Sequence, residues 1–366
     1  MPPAQAAVRL TFPTAAEVHA TALSIAAAQE TSGAVPWFLG GETDPWDHVE
    51  CLMALDVAGL HEAARSGYDW LRRTQLPDGS WPGRVRGEIV VEATAETNHA
   101  AYVAVGVLHH WLSTGDDEFV ARAWPMVRNA LTFVLQMQNP DGTVGWARSP
   151  QGSPDPAALL TGCSSIHHAL RCGVTLAQTL RAGDLAKMWD ASAHRLREAI
   201  VHRPGAFVEK SRFSMDWYYP VLGGALRGDQ AQDRISAGWD TFVVPGQGIR
   251  CVADRPWVTG AETCELALAL AVMGDTRRAA EQVAAMQHLR EADGSYWTGL
   301  VLTDGKNWPV EHSTWTGAAM VLAVDLINGG KATTQVFGTM DLDLREPNPD
   351  DLDDLDNLDD LDDLVS

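Results

Sequence analysis

The sequence predicts an all-α protein: a single (α/α)6 toroid of six outer and six inner helices, with almost no strand. The main evidence is that two kinds of apolar segment alternate along the chain. One kind is amphipathic, as in helices at a surface, and the other is apolar on all sides after its first turn, as in buried helices. The pairs recur roughly every 45–65 residues, a spacing that indicates a repeat architecture.

The alternation places each helix in order. Amphipathic segments predict outer helices at 14–30, 61–75, 116–138, 185–202, 230–244 and 276–291. The intervening apolar segments predict inner helices at 44–60, 94–112, 161–180, 214–226, 259–273 and 313–327. In a closed ring of such pairs the inner helices all run in the same direction, so their N-termini meet at one mouth.

The joints between outer and inner helices support this architecture. QLPDGSW, residues 75–81, combines a Pro-Asp-Gly turn with a Trp that can wedge between neighbouring pairs. QNPDGTVGW at 138–146 and LREADGSYW at 289–297 follow the same plan, and QETSGAVPW at 29–37 does so more loosely. Most inner helices end at Gly or Gly-Asp, which supplies a C-cap and then an N-cap for the next helix.

The 366 residues carry a formal net charge of −21, concentrated towards the C-terminal end. We therefore expect residues 1–340 to form the toroid domain and residues 341–366 to form an acidic, disordered tail. Leucines recur at every third position of that tail, so it could dock a protein partner or serve only solubility. The chain has no basic stripe, and we expect no nucleic-acid partner.

Targeting signals are lacking in the sequence. No apolar run reaches the roughly 18 residues of a membrane span, and the N-terminus does not follow the pattern of a signal peptide. The five cysteines are scattered and odd in number, which fits reduced thiols. Lys is scarce beside Arg and Ala, as in GC-rich bacterial genomes. These features predict a cytoplasmic bacterial protein.

Acidic and aromatic residues gather where the inner helices begin. The candidate catalytic carboxylates are Asp47, Glu96, Asp216, Glu262 and Glu311. The candidate substrate-binding residues are Trp46, His99, Trp217, Tyr218, Tyr219 and Trp315. Acids also stabilise helix N-termini by capping and by the helix dipole. Capping does not account for the aromatic residues beside them, so the cluster predicts a pocket.

Two of the acidic segments can be interpreted in detail. Asp44 precedes Pro45, an arrangement typical of an N-cap, whereas Asp47 should point into the cavity with Asp216 as its partner. The spacing of Thr259 and Glu262 is that of a capping box. Several carboxylates in one narrow mouth cannot all ionise easily, so at least one pKa should be raised.

The joints resemble the QxxDGxW repeats of the terpenoid cyclase and protein prenyltransferase superfamily, and QLPDGSW fits the pattern at every position. The resemblance implies a prenyl or terpenoid substrate in an aromatic-lined barrel. For the prenyltransferase branch it also implies zinc, with Glu262, Cys264 and His312 as the matching residues. Magnesium could serve a diphosphate substrate, but we expect no metal or other cofactor to be essential.

A second resemblance competes with the first. Residues 114–142 and the following segment through 177 are similar to six-hairpin glycosidases such as bacterial glucoamylases. The position that matches their catalytic acid is Ala147. Other carboxylates at the mouth could supply the pair that glycoside hydrolysis needs. The sequence leaves three functions open: prenyl or terpenoid chemistry, which we favour, then glycoside hydrolysis, then a binding toroid without catalysis.

Overall fold

The structure, a computed structural model, describes residues 11–338. It confirms the helical toroid: thirteen α-helices lie within these residues, and twelve of them form six outer and inner pairs. The predicted tail, its suggested docking role and the boundary after residue 340 lie outside the described residues. Within the part of the chain that the structure describes, no helix is long and apolar enough to cross a membrane.

The outer and inner helices alternate as the sequence pattern predicts. The outer helices are α1 Ala15–Ala28, α3 His61–Thr74, α5 Asp117–Gln136, α7 Gly183–His202, α9 Gly228–Phe242 and α11 Thr276–Ala285. The inner helices are α2 Pro45–Val57, α4 Thr97–Thr114, α6 Leu160–Thr179, α8 Ser214–Leu222, α10 Gly260–Val272 and α12 Thr314–Ile327. Each inner helix packs against the next one, and α12 packs against α2, so the inner ring is closed.

A thirteenth helix, α13 Lys331–Phe337, lies at the C-terminal end of the inner ring. It packs against α4 and α12. A ring nitrogen of His168 lies 3.0 Å from the carbonyl oxygen of Val336, and one of His109 lies 3.1 Å from the Thr333 hydroxyl. These contacts cover the end of the barrel opposite the N-terminal mouth.

The turn at the start of each joint is held by one repeated side-chain contact. The amide nitrogen of Gln75 donates to the carbonyl oxygen of Gly79, 2.9 Å away, and to that of Met126 on α5, also 2.9 Å away. Gln29 makes the corresponding two bonds towards α3, and Gln138 makes them towards α7. The repeated glutamine contact therefore joins α1 to α3, α3 to α5 and α5 to α7 in the ring.

The long loops on the mouth side contain short strands that pair with one another. The expectation of almost no strand is therefore wrong for these loops. Strands β1 Arg84–Arg86 and β2 Ile89–Glu92 form a hairpin, and β3 Ala95–Glu96, β4 Ala147–Arg148 and β5 Pro154–Asp155 form a three-stranded sheet. A five-stranded antiparallel sheet has the order β10-β9-β8-β7-β6, from strands β6 Val243–Val244, β7 Gly248–Arg250, β8 Trp257–Thr259, β9 Gly299–Val301 and β10 Lys306–Asn307. Neighbouring loops run side by side above the inner helices, and their backbone groups pair with each other.

The turn glycine at residue 79 should be essential for stability. Gly79 has a φ of 89°, and a Cβ there would stand well under 3.0 Å from the carbonyl oxygen of Asn129 on α5. We expect Gly79→Ala to lower the free energy of unfolding by at least about 3 kcal/mol, from backbone strain plus the clash. Gly115→Ala is the matched control, because its φ is 68° but nothing lies within 4 Å of the added Cβ. Denaturant unfolding should show a much smaller loss there, and equal losses would contradict the close approach.

Candidate active site

The first turn of α2 begins with the cap that the sequence predicts. The Asp44 carboxylate accepts hydrogen bonds from the backbone nitrogens of Trp46, at 2.8 Å, and Asp47, at 3.0 Å. The indole nitrogen of Trp37 also donates to Asp44. Asp44 is buried, and its oxygens are engaged by these donors. The capping role of Asp44 is confirmed, and the carboxyl group of Asp47 takes no part in the cap.

Asp47 lies at the centre of a group of carboxylates. It is half-buried, and no side chain among residues 11–338 donates a hydrogen bond to it. Burial raises the pKa of Asp47 well above its usual range, and the charges of Asp44, Glu50, Glu265 and Glu262 raise it further. The aspartate is therefore protonated at pH values where an exposed aspartate is ionised. We call Asp47, Glu50, Glu262 and Glu265 the carboxylate cluster.

Glu50 lies one turn deeper on α2 and is held by three donors. The indole nitrogen of Trp46 lies 3.1 Å from one carboxylate oxygen, and the Tyr102 hydroxyl donates to the same oxygen at 3.0 Å. The indole nitrogen of Trp315 donates to the other oxygen at 2.8 Å. Burial raises the pKa of Glu50 to about 7, although the three donors act in the opposite direction.

Glu265 is the corresponding buried carboxylate on α10. Both neighbouring tyrosine hydroxyls donate to it: Tyr218, and Tyr219 at 2.8 Å. Burial, and then the charge of Glu50, raise the pKa of Glu265 well above its usual range. The Trp46 ring packs edge-on against Tyr219, with centroids 5.4 Å apart. Trp46 therefore links the groups around Glu50 and Glu265 into one floor beneath the mouth.

Glu262 stands one turn above Glu265, at the start of α10. The predicted capping box is wrong, because the Thr259 side chain makes no capping bond and its hydroxyl has no partner among the described residues. Glu262 instead faces Cys251: burial raises the pKa of that thiol, and the charge of Glu262 and a hydrogen bond to it raise it further. Glu262 is therefore not used as a cap, and it lies close enough to Asp47 for its charge to raise the pKa of Asp47.

Asp216 does not pair with Asp47 as the sequence suggested. Its carboxylate accepts hydrogen bonds from the hydroxyl of Thr161, at 2.6 Å, and from the backbone nitrogen of the same residue, at 3.3 Å. Burial raises the pKa of Asp216, and Thr161 opposes that shift. Asp216 thus links α8 to the start of α6. The acids whose charges raise the pKa of Asp47 lie instead at the cap of α2, on α2 and on α10.

Glu96 and His99 form a second polar group beside the cluster. A ring nitrogen of His99 lies 3.6 Å from a carboxylate oxygen of Glu96 and 3.9 Å from one of Asp44. The His99 ring also meets Trp46 edge-on, with centroids 6.4 Å apart. Both residues are half-buried and line the mouth on the α4 side.

Two of the predicted site residues point away from the cluster. Glu311 accepts a hydrogen bond from the Thr298 hydroxyl at 3.1 Å and lines a separate pocket of about 540 Å³ beside α1. Trp217 donates to the carbonyl oxygen of Arg234 at 2.8 Å and stacks on Phe242, with centroids 5.2 Å apart. Trp217 therefore packs α8 against α9. It lies on the side of the inner helix that contacts the neighbouring outer helix.

The candidate zinc ligands Glu262, Cys264 and His312 do not come together. Cys264 is fully buried, whereas His312 is exposed and packs against the Trp297 ring. Burial raises the pKa of the Cys264 thiol, which opposes formation of the thiolate that binds a metal. Among residues 11–338 no group of three or more His, Cys, Asp or Glu side chains has an arrangement that could hold a metal ion.

The sequence reasoning missed Glu50, Tyr102 and Glu265 as site residues. Each lies three residues after a candidate: Glu50 after Asp47, Tyr102 after His99 and Glu265 after Glu262. Residues three apart on a helix share one face. Projecting each candidate one turn further into the barrel would have found the floor of the site.

Solved structures of similar fold are glycosidases and related sugar enzymes. The wild-type form of a glycosidase aligns with a TM-score of 0.69 over 86% of this chain and 97% of its own, at 18% identity. A bacterial glucoamylase complexed with acarbose aligns with a TM-score of 0.67 over 87% of this chain and 56% of its own, at 12% identity. A D-mannose isomerase aligns with a TM-score of 0.66 at 12% identity, over 86% of this chain and 96% of its own. At these identities the likeness concerns the fold, an α/α toroid that several sugar enzymes share.

A much closer relative defines the family. The chain is 58% identical over 322 residues to the MMP endo-(1,4)-3-O-methyl-alpha-D-mannosidase of Mycolicibacterium hassiacum, covering 88% of this chain and 89% of that protein. The chain belongs to the family of that mannosidase and is a glycosidase. No protein-family model matches the chain.

The favoured assignment to prenyl or terpenoid chemistry is wrong. The mannosidase relative and the glycosidase neighbours support the competing six-hairpin resemblance and not the terpenoid cyclase family. The motif that suggested a cyclase, QLPDGSW, forms the turn that follows outer helix α3, and its Gln75 bonds to this turn and to outer helix α5. It therefore indicates the architecture and carries no information about the substrate.

The two acids at the start of α2 should have separable roles. Asp44→Ala removes the acceptor of two backbone N–H groups, so we expect a loss of about 0.5–2 kcal/mol in the free energy of unfolding. Asp47 accepts no such bond, and its charge is opposed by its neighbours, so Asp47→Asn should leave the stability unchanged or raise it. Urea unfolding of the two variants tests this, and a larger loss for Asp47→Asn would contradict the assignment.

Proposed function

We propose that this chain is a glycoside hydrolase that cleaves internal 1,4 linkages between 3-O-methyl-α-D-mannose units. The activity of the mannosidase relative supports this substrate. The observation that carries the proposal is the meeting of Asp47, from α2, and Glu262, from α10, at one mouth.

These two carboxyl groups are the members of the cluster that a sugar could use. Hydrolysis of a glycoside needs one carboxyl group to protonate the leaving oxygen and another to act as base or nucleophile. Glu50 and Glu265 are occupied by indole and tyrosine donors. Asp47 and Glu262 stand one turn closer to the mouth and are free of such donors within residues 11–338.

Asp47 fits the general acid. Its raised pKa keeps a proton on the carboxyl group at pH values where an exposed aspartate is ionised, and the residue retains access to solvent. As the bond between C1 and the glycosidic oxygen breaks, Asp47 gives its proton to that oxygen. Glu262 accepts a proton from the water that attacks C1, so the net reaction consumes one water and releases two saccharides. Solvent then restores the original protonation states of both residues.

The floor of the site contributes to the same reaction. The transition state of glycoside hydrolysis carries positive charge on the sugar ring. Glu50 and Glu265 lie beneath the mouth with fixed donors, so their carboxyl oxygens are already oriented when the ring charge develops. The half-buried rings of His99 and Trp315 provide faces against which a sugar can pack.

Substitution of the two carboxyl groups tests the proposal. We expect Asp47→Asn and Glu262→Gln each to lower kcat at least about 100-fold, which is the lower end of the range for loss of a general acid or base. The release of new reducing ends from a 3-O-methylated 1,4-linked α-mannan oligosaccharide measures this activity. Glu281→Gln is the matched control, because Glu281 is exposed on the outer helix α11, away from the mouth, and it should keep its activity.

The leaving group separates the two roles. A 2,4-dinitrophenyl glycoside of the same oligosaccharide leaves without protonation, so Asp47→Asn should recover most of its activity on it, whereas Glu262→Gln should not. Full activity of Asp47→Asn on the natural linkage would overturn the assignment of the acid. Recovery of Glu262→Gln instead would exchange the two roles.

The pH dependence of the reaction should carry the signature of Asp47. Its pKa in the folded protein is raised, so the acid is protonated below that pKa and is lost as the pH rises through it. We expect kcat/KM to fall on the alkaline side at a pH well above the usual range of an aspartate. A rate profile with the dinitrophenyl glycoside should lack this alkaline limb. An unchanged limb on that substrate would assign the titration to another group.

A further inference from the structure

Large apolar side chains are exposed on three mouth-side loops. The exposed apolar residues of the three loops are Leu39 (80% exposed), Ile89 (69%), Val90 (50%), Val91 (44%), Trp308 (53%) and Val310 (86%). We call these six residues the apolar arc. Scattered apolar residues on a surface need no explanation, but a concentration of them indicates an interaction site.

The three loops adjoin each other around the mouth. Thr43, in the loop before α2, exchanges two backbone hydrogen bonds with Val85 of the hairpin, at 2.8 and 2.9 Å. On its other side the same loop accepts a bond from the backbone nitrogen of Thr314, at the start of α12, onto Trp37 at 2.8 Å. The loop that carries Trp308 and Val310 leads into α12. The loops that carry the arc therefore border the start of α2, which holds Asp47, and Leu39 also lines the neighbouring pocket that contains Glu311.

Ion pairs and hydrogen bonds hold both ends of the arc in place. The carboxylate of Glu42 lies 2.8 Å from Arg84 and 3.0 Å from Arg86, so it ties β1 to the loop before α2. Strand β2 then presents Ile89, Val90 and Val91 to solvent. At the other end the indole nitrogen of Trp257 donates to the carbonyl oxygen of Trp308 at 3.0 Å, and the two rings meet edge-on.

We propose that the apolar arc binds the methyl ether groups of the substrate on units that flank the cleaved bond, and so selects methylated over unmethylated chains. This inference rests on the proposed function. An ordinary mannose chain offers mainly hydroxyl groups to a rim, whereas a 3-O-methylated chain carries an apolar methyl on each unit. An enzyme that cleaves internal bonds must also let the oligosaccharide extend beyond the mouth, across the loops that surround it. The carboxylate cluster supplies hydrogen bonds at the cleaved unit, and the arc supplies apolar contact beyond it.

Binding measurements in an inactive background test the arc directly. We combine Asp47→Asn with either Ile89→Thr and Val91→Thr or Val310→Thr, and titrate methylated and unmethylated 1,4-linked α-mannan oligosaccharides of equal length. Thr keeps the shape of Val and lowers the apolar area, and one lost methyl contact weakens binding about fourfold. We expect the Kd for the methylated chain to rise about tenfold in the double hairpin substitution, and the Kd for the unmethylated chain to stay constant.

Val208→Thr is the matched control. Val208 is an exposed apolar residue on the mouth-side loop before α8, outside the arc, and its substitution should leave both affinities unchanged. Melting temperatures should be equal in all variants, because the substituted side chains are exposed.

Three results would overturn the inference. One is an unchanged Kd for the methylated chain in the arc variants. A second is an equal loss for both chains, which would mean that the arc binds the sugar backbone without reading the methyl groups. The third is unchanged affinity together with a shift from dimer to monomer in sedimentation, which would identify the arc as a contact between copies of the chain. The proposed function fails separately, if the wild-type protein does not cleave the methylated oligosaccharide.

Discussion

The close approach of four turn glycines, Gly33, Gly79, Gly142 and Gly294, to the next outer helix is the constraint on which the rest of the structure depends. A Cβ at Gly142 would stand 2.6 Å from the carbonyl oxygen of Arg195 on α7, and one at Gly294 would stand 2.7 Å from that of Ala20 on α1. The second contact joins the last pair to the first, so it closes the ring. Ring closure in turn directs every inner N-terminus to the same mouth. Without it, α2 and α10 would not bring their acids together.

The concentration of carboxylates at that mouth is costly to folding and useful for chemistry. Burial and mutual repulsion both favour the neutral form of a carboxyl group. The buried members are stabilised by aromatic donors, as Glu265 is by Tyr218 and Tyr219. Asp47 has no such donors and adapts by holding its proton. The pattern is typical of functional sites, where groups with shifted pKa values gather in a cleft.

The joint motif explains why the sequence pointed first to the wrong chemistry. In QLPDGSW, Gln75 bonds to the turn and to the adjacent outer helix, and Asp78 bonds to the backbone nitrogen of Ser80 at 3.1 Å. Trp81 donates to the carbonyl oxygen of Leu71 at 3.0 Å. Each contact serves ring assembly. Any α/α toroid faces the same packing problem, so enzymes with unrelated substrates can share the motif.

By itself the sequence determined the helical repeat, the order of the pairs and the cap at Asp44. These features depend on residues close in the chain, through helical periodicity and local hydrogen bonds. Tertiary structure alone decided that Glu50 and Glu265 join Asp47 in one cluster, that Asp216 bonds to Thr161, that Glu311 belongs to another pocket and that Trp217 faces α9. It also decided that neighbouring loops pair into short sheets around the mouth. Such choices depend on which side chain of a neighbouring helix or loop lies opposite, and that is fixed only when the ring has closed.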